Sequence, residues 1–300
     1  MKSFEYLVPE SIEEACSLLS RYSPEAKVIA GGQSLLVLLR QKLLSPSYLV
    51  SIKELTDLDY MRCEGDGLRI GAVTTHRTIE LSPIIRNKFP VLAEAERRLA
   101  SVQVRNWGTI GGNLCHGDPK TDLAACLIAL GSKVKLTSEK GEREVDLEEF
   151  FTDYYETCLN PDEIMTSIEV PYLGSRTGAY YEKFSLRWAD APIVGVCGVV
   201  ALDAQRNMCN KARVVIAGAG PTPVRAREAE EMLQGEAYHK DLLGQAALLA
   251  SQHCSPTSDA EASEEYKREL VRVLAQKVLK VAWERAAQSG ESVRNTKGEA

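Results

Sequence analysis

Apolar and polar positions along this chain switch between two periods, and the switching outlines its elements. Residues 4–8 form a short apolar run that predicts a strand. Ser11 and Glu14 then make a capping box, ahead of Ile12, Ala15, Cys16 and Leu19 on one helical face. Residues 27–30 and 48–50 predict two further strands. Between them Ser34 can cap a helix carrying Leu35, Leu36, Leu38 and Leu39, which ends before Ser45-Pro46. The order strand, helix, strand, helix, strand predicts an α/β unit over residues 1–57.

A second segment is expected over 58–176, of mixed β with helices. Gly65-Asp66-Gly67 lies between apolar-containing runs at 61–63 and 68–70, a hairpin signal. Short helices at 75–81 and 91–100 lead into a glycine-rich loop. Residues 121–127 predict a helix with Gly131 as its C-cap. Strands at 133–137 and 164–170 bracket a turn at 138–141. From 177 to 288 the pattern changes: strand-like runs at 193–202 and 213–217 precede amphipathic helices at 225–233, 240–252 and 263–285. In the last, Tyr266, Leu270, Val273, Leu274, Val281 and Ala282 keep the helical period, and Lys277 interrupts it. The polar tail 289–300 predicts a flexible end.

Composition narrows the function classes. Three hundred residues with 44% hydrophobic and 26% charged positions suit a globular protein of two or three subdomains. A net charge of −6 disfavours a nucleic-acid partner. No apolar run approaches the length of a membrane span, and the start of the chain has no cationic segment leading into an apolar core, so neither a span nor a signal peptide is expected. The eight cysteines include no C-x-x-C pair, which argues against a zinc or iron–sulfur site on this chain. Thiols in apolar segments read as reduced side chains of a cytoplasmic protein.

Three glycine-rich stretches could carry chemistry. Ala30-Gly31-Gly32-Gln33-Ser34 stands where a strand hands over to a helix, and Thr109-Ile110-Gly111-Gly112-Asn113 follows about 80 residues later. Each Gly-Gly is either a tight turn or a nest of backbone N–H groups around an anion, with the Ser34 and Thr109 hydroxyls as added donors. A ligand with two phosphates would require the two stretches to converge. The third, residues 217–223, lacks a third glycine and contains two prolines, which favours a structural strand-to-helix junction over a dinucleotide fingerprint. His116, in Leu114-Cys115-His116-Gly117-Asp118, reads as a loop histidine rather than a metal ligand. No G-x-S-x-G elbow is present, and no catalytic side chain is nominated.

The pair AGGQS and TIGGN, with "LRIGAVTTHRTIE", "VRNWGTIGGNLCHGDPKTDLAA", "DEIMTSIEVPY" and "GAGPTPVRA" in that order, resembles the FAD-binding medium subunit of the molybdenum hydroxylases, the xanthine dehydrogenase and carbon monoxide dehydrogenase family. The resemblance implies an α+β chain. It would have a two-part FAD-binding domain of the vanillyl-alcohol-oxidase (PCMH) type, subdomains 1–57 and 58–176, and a C-terminal domain of three strands and three helices at 177–288. It implies that Val28, Ile29, Ala30, Gly31, Gly32, Gln33, Ser34 and Leu35 line one side of the FAD pyrophosphate. Thr109, Ile110, Gly111, Gly112 and Asn113 would line the other, with Leu99 near the flavin and Asp122, Met165 and Lys183 also at cofactor-contacting positions. Many relatives carry an aromatic residue where Ala191 follows Asp190 here, with Trp188 nearby. The chain also lacks the cysteine-rich insertion by which some relatives hold an extra cluster. The resemblance further implies an electron-transfer role in a heteromeric complex, a dimer of heterotrimers. A large chain would hold the molybdopterin cofactor, and a small chain two 2Fe–2S clusters. The alternative is a stand-alone FAD-dependent oxidoreductase with its own substrate pocket.

Overall fold

The computed structural model describes residues 3–203 and 207–297, with side chains as far as Ser289. Two compact units arise, each from separated stretches of chain. The stretches up to Ser82, Ala100–Asp118 and Gly131–Pro171 form the first. Pro83–Leu99, Pro119–Leu130 and the chain from Tyr172 onward form the second.

The first unit holds two main sheets. Strands Glu5–Leu7, Tyr48–Ser51 and Ala26–Ile29 pair in parallel in that order. Parallel neighbours need crossovers, and helices Ile12–Tyr22 and Leu35–Arg40 supply them. Ser11 Oγ accepts from the Glu14 N–H, as the capping box requires, while the Glu14 carboxylate reaches back to the Glu10 N–H. Ala15, Cys16 and Leu19 then pack with Val50, Ile52 and Leu58. Helix Leu35–Arg40 buries only Leu39, against Ile29 and Leu49.

The second sheet is antiparallel, in the order Met61–Glu64, Gly67–Gly71, Ile164–Pro171, Lys133–Ser138, Gly141–Asp146. Gly65 sits at φ +52° in the expected hairpin turn. The edge strand Gly141–Asp146 has no counterpart in the sequence reading. Its residues are polar and mostly exposed, so it lacks an apolar signature and owes its conformation to pairing with Lys133–Ser138.

In the second unit, strands Thr177–Phe184, Val194–Leu202, Cys209–Ala217 and the two-residue Val224–Arg225 form one antiparallel sheet. Val194–Leu202 is apolar nearly throughout because helix Asp122–Leu130 and the C-terminal helix both pack on it. Every residue of Asp122–Leu130 is buried. Thr177–Phe184 also escaped the sequence reading, since Glu182 and Lys183 break its alternation. Both are nevertheless buried, each in ion pairs. The C-terminal helix, expected to end near 285, spans Glu264–Lys297 with no proline to stop it. The tail expected to be flexible is thus helical as far as Lys297, and 298–300 lie outside the described residues. No helix among the described residues is long and apolar enough to cross a membrane.

Candidate functional site

The first glycine stretch leaves the sheet at Ile29 and turns at Gly32, whose φ of +71° is left-handed. Val28 and Ile29 pair with Val50 and Ser51, which fixes where the turn starts. The Leu36 N–H donates to the Gly32 carbonyl at 3.0 Å and opens the helix. The expected Ser34 cap does not form. Ser34 itself has helical backbone angles, and its hydroxyl accepts from no helical amide. Among the described residues, no acceptor meets the N–H groups of Gly31, Gly32, Gln33, Ser34 or Leu35. Five adjacent donors are therefore open.

The second stretch is built differently. The expected loop is helical over Ile110–Cys115, with Thr109 as N-cap. The Thr109 hydroxyl oxygen accepts from the Gly112 N–H at 3.2 Å, and the Thr109 carbonyl from the Asn113 N–H at 2.9 Å. The Ile110 and Gly111 N–H groups donate to the Thr74 and Ala72 carbonyls at 3.0 and 2.9 Å. The second nest expected from sequence is therefore absent: these amides are spent within the protein, and neither Gly111 nor Gly112 has positive φ. Gly111 is glycine for packing, since a Cβ there would stand 2.6 Å from the Ala72 Cβ. Gly112 is exposed, and its Cβ position would meet only the Thr109 hydroxyl, at 2.8 Å.

Both stretches lie in the first unit, and they converge. A Cβ on Gly31 would stand 1.9 Å from the Trp107 carbonyl oxygen and 2.9 Å from the Gly108 Cα. Only a residue without a side chain lets these two backbones meet. Helix Val102–Trp107, capped by Ser101, brings Trp107 there, and the His76 N–H holds the Gly108 carbonyl at 3.0 Å. Met165 belongs to the same unit, buried at a β-bulge in Ile164–Pro171.

Leu99, Asp122 and Lys183 lie in the second unit. Lys183 is buried, and its ammonium donates to Asp122 Oδ2 at 3.2 Å, the Arg98 carbonyl at 2.9 Å and the Asp190 carbonyl at 3.0 Å. Three protons meet three acceptors. Lys183 thereby anchors the backbone next to Leu99 and Ala191. Tyr181 donates to Asp122 Oδ1 at 2.6 Å. Burial pushes the Asp122 carboxyl up, against the opposing pull of Lys183 and Tyr181. Arg98 pairs with Glu182 at 2.7 Å and donates to the Lys183 carbonyl at 3.0 Å, with its guanidinium over the exposed Trp188 ring. Sequence reasoning missed Arg98, Tyr181 and Glu182, which match no motif and acquire partners only on folding.

The third glycine stretch is a structural junction. Gly218 sits at φ +79°, where a Cβ would lie 2.4 Å from the Ile193 carbonyl oxygen. The His116 ring lies 5.2 Å from that of Tyr155. Burial lowers its pKa, with Asp118 opposing.

Comparison with known proteins places this architecture. Residues 2–173 match the family model described as the FAD binding domain in molybdopterin dehydrogenase, and residues 179–282 match the CO dehydrogenase flavoprotein C-terminal domain. The chain belongs to the FAD-binding subunit family of the molybdopterin dehydrogenases. It is 35% identical to the 6-hydroxypseudooxynicotine dehydrogenase complex subunit alpha of Paenarthrobacter nicotinovorans, over 97% of this chain and 98% of that one. It is also 35% identical to the carbon monoxide dehydrogenase medium chain of Hydrogenophaga pseudoflava, over 95% and 98%. A solved structure of carbon monoxide dehydrogenase from the same organism, lacking the Mo-pyranopterin moiety of its cofactor, superposes with a TM-score of 0.91 over 94% of this chain. The fold of this family member is thus a PCMH-type FAD-binding domain followed by the flavoprotein C-terminal domain, and its class is oxidoreductase.

Proposed function

We propose that this chain is the electron-transfer subunit of a cytoplasmic molybdenum hydroxylase complex, with FAD held against the Gly31–Leu35 amides. The open donors carry this reading. Five neighbouring N–H groups with no acceptor among the described residues suit a pyrophosphate, which needs many donors and tolerates no side chain between itself and the backbone. Gly112, exposed beside the cradle's neighbour Trp107–Thr109, supplies the clearance a ligand needs. The Thr109 hydroxyl, which accepts from Gly112, keeps its own proton to donate.

Val28 to Leu35 and Thr109 to Asn113 would therefore act unequally. The first stretch binds the anion through its backbone, and the second shapes the wall. Leu99 and Met165 are further cofactor-contacting candidates, as the family resemblance implies, and within the second unit Asp122 with Lys183 fixes the backbone around Leu99 and Ala191. The domain boundaries that go with this reading are 1–57, 58–176 and 177–288. Bound FAD supplies one- and two-electron chemistry. No side chain of this chain is assigned a proton-transfer step in substrate turnover. Electrons would pass from the 2Fe–2S clusters of a small partner chain to a terminal acceptor. A large molybdopterin-binding chain would act on the substrate, in a dimer of heterotrimers.

The test is the visible spectrum of the full chain purified with its partner chains. A flavin spectrum is expected, together with its loss in Gly112→Asp at unchanged circular dichroism, since that carboxylate would stand beside the pyrophosphate. A wild-type chain that binds no FAD would end the proposal.

A further inference from the structure

Ala100 holds a backbone conformation that its own chemistry opposes. Its φ is +44°, where the Cβ of an L-residue crowds the adjoining peptide, and such a residue stays there only if its surroundings hold it. It stands directly before the Ser101 cap, at the head of the segment that carries Trp107, Thr109 and Gly112. Arg105 holds it. The Arg105 Nη1 donates to the Ala100 carbonyl at 2.8 Å, and the Nε donates to Glu80 Oε2 at 2.9 Å. Glu80, on helix His76–Leu81, also accepts from Arg77 at 2.9 Å. Arg105 and Glu80 are both buried. Burial alone would raise the Glu80 carboxyl, but the two arginines outweigh it and hold the group ionised. The same two segments are tied a second time, by the His76 N–H on the Gly108 carbonyl.

We propose that Arg105 and Glu80 are positioning residues for the FAD site: they lock Ala100 in its left-handed conformation and thereby set the Trp107 carbonyl and the Thr109 cap beside the Gly31–Leu35 amides. Neither residue is a ligand in this scheme, and both act through the backbone. The inference rests on the assignment of FAD to that cradle.

The experiment titrates FAD into the full-length apo chain and into Arg105→Met, Glu80→Gln and the double variant Arg105→Met/Ala100→Gly. Thermal melting is run in parallel. Losing the lock should weaken FAD binding by roughly tenfold in Arg105→Met and Glu80→Gln. Glycine adopts positive φ without strain, so Ala100→Gly should restore most of that affinity in the double variant, although the ion pair is still missing. A purely structural ion pair would give a lowered melting temperature with FAD affinity unchanged, or an affinity loss that Ala100→Gly does not recover. Either result overturns the inference while leaving the FAD site standing. If Arg105→Met does not fold, Glu80→Gln and Glu80→Gln/Ala100→Gly decide by the same comparison. A wild-type chain that fails to bind FAD overturns both the inference and the assignment it rests on.

Discussion

Gly31→Ala tests the contact on which the site depends. The added Cβ would stand 1.9 Å from the Trp107 carbonyl oxygen and 2.7 Å from its carbon. An ordinary carbon–oxygen contact is about 3.3 Å, so the two backbones must part by about 1.4 Å. Both neighbours are main chain, and no rotamer change relieves them. Overpacking of this kind costs up to about 3 kcal/mol. If the whole cost falls on stability, the melting temperature should drop by about 6–12 °C. If the stretches instead separate and the fold survives, FAD affinity should fall by roughly 100-fold. The control is Gly174→Ala. This exposed glycine has no positive φ, and its Cβ would make only an ordinary 3.8 Å contact with the Thr177 hydroxyl, so the change costs little or nothing. The assay is differential scanning fluorimetry of the apo chain together with FAD titration. A Gly31→Ala chain that melts within 2 °C or so of wild type and binds FAD with unchanged affinity would refute the close approach of the two stretches.

Three further outcomes follow from the second unit. Lys183→Met strands the buried Asp122 carboxylate and should cost about 3–5 kcal/mol in urea unfolding. Lys183→Met/Asp122→Asn should cost less, and equal losses would show that the two side chains are not coupled. At Glu182, burial alone would raise the carboxyl, but hydrogen bonds from Lys277, Arg98 and Tyr180 outweigh it and hold the pKa at about 2, below the ordinary 4.5. A depressed folded value means that the stabilisation is full above about pH 4.5 and is lost as the pH falls toward 2. Wild type should therefore lose urea resistance more steeply than Glu182→Gln across that window, and parallel slopes would contradict the assignment. Gly218→Ala, strained by its φ and blocked by the Ile193 carbonyl, should lower the melting temperature while FAD bound per folded chain stays constant. A selective loss of FAD would instead place this stretch in the cofactor site.

Much of this protein could be read along the chain because local chemistry settles it. The capping box at Ser11, the hairpin glycines at 65–67, the buried face of Ile12–Tyr22 and the apolar runs near 194–202 and 213–217 each depend on residues a few positions apart. The two glycine stretches were equally visible, and the order of the motifs around them pointed to the family.

Other features have no local cause. Strand Gly141–Asp146 is polar and takes its conformation from a partner strand, and Glu182 and Lys183 are buried only because Arg98, Lys277 and Asp122 meet them. Sequence alone made Gly31-Gly32 and Gly111-Gly112 look like two copies of one device. Tertiary structure made them different. The first keeps its amides open because the chain leaves the sheet there. The second spends its amides on Ala72, Thr74 and its own helix cap, and Gly31 is glycine because Trp107 stands where a side chain would be. A residue type records which conformations the backbone can take, but which donors remain free is decided by distant segments brought alongside, and that is known only once the chain has folded.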